Sequence, residues 1–377
     1  MKTLASRIRL LSRGIRPPLI NSKPMMGLDS QGTGVGPQGK IFELPEERNG
    51  MRSMISVPVY YPDHHLFPYS LPTRLGDQPN TLIVNDEIVL QGASYALLSI
   101  MKLSSGALFT DTGLVMMHCY DTLTTVLGYG CRHFENGEEC RYCEIDPVAV
   151  KMLGFPQKQS IPDLVEAILI VQDKIPVRSL TITSGTFSTP DDVARQYLRL
   201  LPELKEKTGL GIHLQLEPVN DVTLLKELSL YADSIGVFME IFDDDLRRKF
   251  CPGKSGNSRA LYMKNWETAV RHFRHGQVIN TCILGFGENY RQVLEEIEQC
   301  AGTGVKTIML FLRCYSRHLN GFIPSYLNKS ESETVDLHLK AAEILKKYDL
   351  VFQTRRDAGC VGCQGCTAFT EAFRAIN

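Results

Sequence analysis

The chain of 377 residues is 43% apolar and carries a formal net charge of -1, ordinary values for a globular protein with a core of domain size. So balanced a charge sets up no global field for nucleic acid or an anionic membrane surface, and no apolar run approaches the ~20 residues of a membrane helix. The opening "MKTLASRIRLLSRGIRPP" is basic and lacks the apolar core of a secretory signal. It could be a transit peptide, and we read it as an amphipathic surface helix. The chain is therefore expected to be cytoplasmic, where its eleven cysteines serve as thiols and metal ligands more than as disulfides.

Residues 1–115 read as a structural extension or cap. The glycine-rich "GLDSQGTGVGPQGK" resembles a phosphate loop only superficially, because no GK[ST] follows and no strand-to-helix context surrounds it. In the proline-rich "VPVYYPDHHLFPYSLP", His64 and His65 are either metal ligands or exposed loop histidines. "LTTVLGY" then reads as a short buried strand that leads into "CRHFENGEECRYCEI", with Cys131, Cys140 and Cys143 spaced C-x8-C-x2-C. Soft thiolates suit iron, and three of them on a [4Fe–4S] cluster leave one iron for a small chelating molecule. Gly128, Gly130 and Gly137 fit a loop wrapped around a cluster. A zinc site with His133 as fourth ligand and a set of unrelated structural thiols are the alternatives.

From there apolar strands alternate with helical stretches. "PDLVEAILIVQDK", "DDVARQYLRLLPELKEKTG", "DVTLLKELSLYA", "ALYMKNWETAVRHFRHG" and "NYRQVLEEIEQCAGTG" have helical apolar spacing. "VRSLTITSGT", "GIHLQLEP", "SIGVFMEIF", "VINTCILGFG" and "TIMLFLRCY" read as strands. About six βα units in residues 116–330 give an α/β fold with a parallel sheet, too few for an eight-fold barrel and consistent with a partial (β/α)6 TIM-type barrel. Ligands of such sheets sit at the carboxyl ends of the strands.

At those ends the residues resemble the radical S-adenosylmethionine (SAM) superfamily. The three-cysteine loop follows the first strand, and Tyr142 matches the aromatic within its C-x-Φ-C pair. Ser184 and Gly185 stand in place of the superfamily's Gly-rich methionine-binding turn. Glu217 and Glu240 end strands where a polar group often meets the ribose or amine. "ILGFGE", with Ile283, Gly285 and Glu288, resembles the segment that packs against adenine. The first cysteine gap of eight departs from the usual three. A closer resemblance, carried by "GTGVGPQGKIFEL", "EIFDDDLRRKFCPGK", "NWETAV" and "GCVGCQGC", is to radical SAM proteins of nitrilase-type gene clusters and to the two-protein radical SAM lipoyl synthases. It implies SAM and two [4Fe–4S] clusters. It implies a 5′-deoxyadenosyl radical that activates substrate C–H bonds. For the lipoyl relatives it implies sulfur insertion, with the auxiliary cluster as donor. Dehydrogenation or rearrangement, with an auxiliary cluster that binds substrate or relays an electron, is the second enzyme class. The resemblance makes a second radical SAM partner protein and a carrier-bound or small-molecule substrate plausible, and a reductase or ferredoxin would supply electrons.

Residues 331–377 read as a final helix and a cysteine tail that returns toward the barrel mouth. Cys360, Cys363 and Cys366 form C-x2-C-x2-C among glycines whose small size lets amides approach sulfur. This pattern suits an auxiliary cluster, with a zinc knuckle or a reactive redox tail as alternatives. Its fourth ligand could be Cys314, Cys251, Cys119, a non-cysteine group, substrate or sulfide. Arg313 and Cys314 end the last core strand and either point into the mouth or belong to core or surface. Arg355 and Arg356 could bind an anionic substrate or form a solvated pair. Cys282 and Cys300 are expected to be structural. An Fe–S carrier and a zinc scaffold are the non-enzyme readings.

Overall fold

A computed structural model describes residues 2–16, 19–20, 23–24, 39–48, 51–60, 62–77, 81–92, 103–105, 115–119, 121–128, 130–143, 160–314, 316–352 and 357–377. Its core is one sheet of seven strands in strict chain order. They are β1 (Met116–Cys119), β2 (Thr122–Val126), β3 (Ser179–Thr183), β4 (Gly211–Leu216), β5 (Ser234–Val237), β6 (Val278–Leu284) and β7 (Lys306–Phe311). From β2 to β7 every pairing is parallel, and β1 lies antiparallel on the β2 edge. This is the expected α/β half-barrel. The parallel strands are short and almost wholly buried, as strands covered on both faces must be.

Helices Ile161–Lys174, Pro190–Thr208, Arg259–His272, Tyr290–Gly302 and Glu331–Lys347 each begin at a polar N-cap: Ser160, Thr189, Ser258, Asn289 and Ser330. Each cap side chain accepts one or two of the otherwise orphaned first-turn amides. Ser330 and Glu333 complete a reciprocal capping box. The strand expected across "SIGVFMEIF" pairs only over Ser234–Val237. Beyond it Glu240 adopts φ 66° and touches the neighbouring strand through a single bridge to Cys282.

The amino-terminal part forms a second, six-stranded sheet that includes Gly39–Arg48, Met51–Pro58, Leu71–Leu75, Thr81–Val84 and Ile88–Gly92. Of the glycine-rich segment at 27–40, residues 27–38 lie outside the described residues. His64 and His65 are half-buried. Their Nε2 groups donate to the carbonyls of Cys314 (3.1 Å) and Phe322 (3.0 Å), tying this part to the barrel.

Helix Lys2–Arg13 is present but is not a surface helix. Leu4, Ile8, Leu10 and Leu11 are buried, and so is Arg7, 2% exposed. The Arg7 guanidinium donates to the carbonyls of Thr367 and Gln364, both at 2.8 Å, and pairs with buried Glu371 at 3.2 Å. The basic character of this segment reflects a clamp on the carboxyl-terminal tail. Among the described residues no helix is long and apolar enough to cross a membrane.

Removing one partner of a buried ion pair leaves the other charge uncompensated, at a cost of about 3–5 kcal/mol. Glu371→Leu is therefore expected to lower the unfolding free energy, read from urea denaturation, by that much. The double change Arg7→Met with Glu371→Leu should recover only part of the loss in the same measurement, because Met leaves the Thr367 and Gln364 carbonyls unpaired.

Candidate functional site

The half-barrel encloses a cavity of about 370 Å³. Cys131, Cys140 and Cys143 line it, and so do Cys360, Cys363 and Cys366. The first three belong to the loop at the carboxyl end of β2. That loop is joined to the one after β3: Gly185 N donates to Gly128 O at 3.2 Å and Arg132 N to Thr186 O at 2.7 Å. A Cβ on Gly185 would stand 2.0 Å from Gly130 O, so only glycine permits this approach. Ser184 Oγ turns back to Gly185 O at 2.9 Å.

The segment Phe250–Lys254 supports the cysteine loop from the other side. Arg141 N donates to Phe250 O (2.7 Å) and Gly253 N to Glu138 O (3.0 Å). A Cβ on Gly253 would meet His133 Nδ1 at 2.1 Å. The Cys251 thiol is hydrogen-bonded to Cys140, and that contact, with burial, pushes the Cys140 thiol well up. Cys251, a candidate fourth ligand for the tail, thus belongs beside the first set. The physical reason is that it ends helix Asp244–Phe250 directly beneath the cysteine loop.

Two carboxylates complete this end. Glu217 accepts from His133 Nε2 (2.9 Å), Thr186 Oγ1 (2.5 Å) and Asn257 Nδ2 (3.3 Å). Burial raises its pKa, but His133, Lys254 and Thr186 outweigh it and hold the group at about 2, so it is ionised. His133 is therefore engaged through Nε2 with a carboxylate. Glu240 accepts from Tyr142 Oη and Lys254 Nζ, both at 2.6 Å. Ile283 lines the cavity, but Glu288 does not. Its carboxylate takes the amides of Gly285 (2.9 Å), Phe286 (2.8 Å) and Gly287 (3.1 Å) and so holds its own turn, where Gly285 and Gly287 have positive φ.

The tail does not approach from the mouth of the barrel. It enters at the opposite end, where the strands begin. Gln277 Nε2 donates to Asp357 Oδ1 (2.7 Å) just before β6, and Ser234 Oγ, the first residue of β5, donates to Ala358 O (3.1 Å). Gly359, at φ 53°, lies so close to β4 that a Cβ would meet that of His213 at 2.2 Å. A sheet of six parallel strands leaves an open side, and the tail fills it.

Around the tail thiols the donors are specific. Gln215 Nε2 donates to Cys360 Sγ at 3.2 Å and Gly365 N to Cys363 Sγ at 3.5 Å. The His118 ring on β1 lies against the thiols of Cys360 and Cys366. Burial raises the Cys360 pKa, but His213 and His118 outweigh it and bring the thiol down to about 5. Cys366 is lowered in the same way, with His118 and Arg313 prevailing over burial. Burial instead pushes the Cys131 thiol up. The tail thus favours thiolates, the form that binds metal.

Arg313 lines the cavity and donates from Nη2 to Ser56 O at 2.8 Å. Cys314 is buried and does not line it. Cys282 and Cys300 are buried in the core. Arg355 and Arg356 lie outside the described residues, as does the side chain of Cys119. His118, which the sequence reading missed, stands in no motif. Only the pairing of β1 with β2 brings it to the tail.

The residues fit metal clusters. Both cysteine sets are cradled by glycines that a Cβ would disrupt, and the tail set adds buried ring nitrogens without partners, His118 Nδ1 and His213 Nε2. A single zinc ion needs its sulfurs about 2.3 Å from one point, whereas a cluster takes one thiolate per corner iron. Among the described residues no group of three His, Cys, Asp or Glu side chains converges on a single-ion site.

Residues 125–300 match the Radical SAM superfamily. Three solved structures are similar in course. The FeFe-hydrogenase maturase HydG from Carboxydothermus hydrogenoformans is 12% identical over 60% of this chain and 52% of its own, with a TM-score of 0.46. A radical SAM methyltransferase from Sphaerobacter thermophilus is 14% identical over 79% and 80%, at 0.45. Coproporphyrinogen III oxidase (HemN) from Escherichia coli, a radical SAM enzyme, is 12% identical over 45% and 40%, at 0.35. The chain spans about half the length of the HydG structures it matches. No curated protein matches it.

Gly185→Ala places a methyl group against Gly130 O. The expected outcome is loss of the iron held at Cys131, Cys140 and Cys143, roughly half of the total if each set holds one cluster. Iron quantitation on folded protein, with an unchanged far-UV circular dichroism spectrum, checks it.

Proposed function

We propose, from the premise that this chain is a radical SAM enzyme with its superfamily domain at residues 125–300, that it acts on a substrate enclosed between two [4Fe–4S] clusters. Cys131, Cys140 and Cys143 would hold the first and Cys360, Cys363 and Cys366 the second. The observation that carries this reading is the single cavity that all six thiols line. When bound, the first cluster with SAM supplies one-electron cleavage of SAM and, through it, hydrogen abstraction from an unactivated C–H bond.

The chain's own residues position and enclose. Cys131, Cys140 and Cys143 would hold three irons of the first cluster, and the fourth would be left for a chelating amine and carboxylate. Ionised Glu217 at the cavity wall is an acceptor for ribose hydroxyls or an amine, and Glu240, held by Tyr142 and Lys254, is a second polar wall group. Phe238, Ile283, Ile308 and Leu310 line the cavity and exclude water from the reacting atoms. Electrons would come from a reductase or ferredoxin, and a second radical SAM protein is a candidate partner.

The finer reading is sulfur insertion with the tail cluster as donor. It is supported by the shared enclosure, because both thiol sets line one cavity. Dehydrogenation or rearrangement with a tail cluster that survives turnover is the second reading. It is favoured by the His118 ring against the tail thiols, where a fourth ligand would retain the cluster.

Anaerobic iron and sulfide quantitation on wild type and on a Cys360, Cys363, Cys366 triple alanine variant tests the two-cluster reading. The wild type is expected to hold about eight irons and the variant about four, with reductive SAM cleavage retained. Unchanged iron in the variant, or zinc in place of iron at the tail, would rule out the second cluster.

A further inference from the structure

A four-iron cluster presents four corner irons, and the tail supplies three thiolates. None of the remaining described cysteines supplies a fourth. The Cys251 thiol is hydrogen-bonded to Cys140, and Cys282, Cys300 and Cys314 are buried outside the cavity wall. One group does stand at the tail thiols, hydrogen-bonded to two of them. His118 lies on β1, lines the cavity and touches both Cys360 and Cys366. Its Nδ1 is buried and has no hydrogen-bond partner. An unpaired buried nitrogen carries a desolvation penalty that a ligand bond would remove.

His213 is the rival. Ser234 Oγ spends its hydroxyl proton on Ala358 O and so accepts from His213 Nδ1–H at 2.8 Å, which leaves Nε2 without a proton in the neutral ring. That Nε2 also has no partner. However, His213 neighbours Cys360 alone, lies beneath Gly359 and is not part of the cavity wall. His118 meets two of the three thiols and lines the cavity.

We propose that His118 is the fourth protein ligand of the tail cluster, giving it a Cys3His set that bridges the barrel edge strand and the carboxyl-terminal tail. The proposal rests on the two-cluster reading above. An imidazole carries no charge where a thiolate carries one, so the cluster is easier to reduce than an all-cysteine one.

The test uses the full chain with Cys131, Cys140 and Cys143 changed to alanine, so that only tail iron remains. It is reconstituted anaerobically with iron and sulfide and then reduced. Pulsed electron paramagnetic resonance reads nitrogen coupling to the cluster, and a redox titration reads its midpoint potential. The parent is expected to show nitrogen coupling. His118→Ala should lose it, and His118→Cys should keep all tail iron, lack the coupling and titrate at a lower potential. Cys119→Ala and His213→Gln should leave the coupling in place. Coupling that persists in His118→Ala, that vanishes in His213→Gln, or that is absent from the parent overturns the assignment, and so does iron loss from His118→Cys. Tail iron that is lost in Cys119→Ala overturns it as well. A parent with zinc or no iron at the tail refutes the two-cluster reading, and the assignment with it. Should the parent variant not fold, the same spectra on the wild-type chain without SAM give the comparison.

Discussion

Six parallel strands do not close a barrel. Their sheet ends at β7 on one side and at the short antiparallel β1 on the other, and the space between would expose both an apolar interior and unpaired strand edges. Everything distinctive in this protein follows from how that opening is covered. The tail from Asp357 to Glu371 packs on the inner strands and lines the cavity, and helix Lys2–Arg13 holds it there. The buried Arg7–Glu371 pair joins the two, and Arg7 also satisfies the carbonyls of Thr367 and Gln364. Because this segment carries Cys360, Cys363 and Cys366, its course also brings a second set of thiols to the cavity wall.

The two cysteine sets are built by different means. At the carboxyl ends of the strands, the first loop rests on close backbone approaches, Gly185 on Gly130 and Gly253 beneath His133. Its charges come in neutralising groups: Glu217 with His133, Glu240 with Lys254 and Tyr142. The tail set lies against bases. His118, His213 and Arg313 lower its thiols against the effect of burial, while the amides of Gln215 and Gly365 reach the sulfurs. One enclosure thus has an end ordered by glycines and carboxylates and an end ordered by imidazoles.

The stretch "EIFDDDLRRKFCPGK" has a structural meaning that its conspicuous charge hides. Asp243 caps the helix Asp244–Phe250, accepting from Asp245 N and Leu246 N at 2.9 Å, and Asp244 pairs with Arg247. The helix then delivers Phe250, Cys251, Gly253 and Lys254 to the underside of the first cysteine loop. The acids and bases set the helix, and the four residues after it do the positioning. The match to the superfamily begins at residue 125 and ends at 300, so it includes this support but not the tail.

Local chemistry made much of this legible in advance. The cysteine spacing, the alternation of apolar strands with capped helices, and the polar residues at strand ends are all set within a few residues of chain, where propensity and periodicity act. They identified the half-barrel, the first thiol set and the tail thiols. They also placed Glu217, Glu240 and Ile283 at strand ends, and all three line the cavity. They did not show that three neighbouring amides claim the Glu288 carboxylate, or that the fold carries Cys251 beside Cys140. They could not show which end of the barrel the tail enters, that a basic amino-terminal helix is buried against it, or that His118 stands beside Cys360. Those facts depend on pairs of residues hundreds of positions apart. No sequence period encodes such pairs, and only the packing of the open barrel side brings them together.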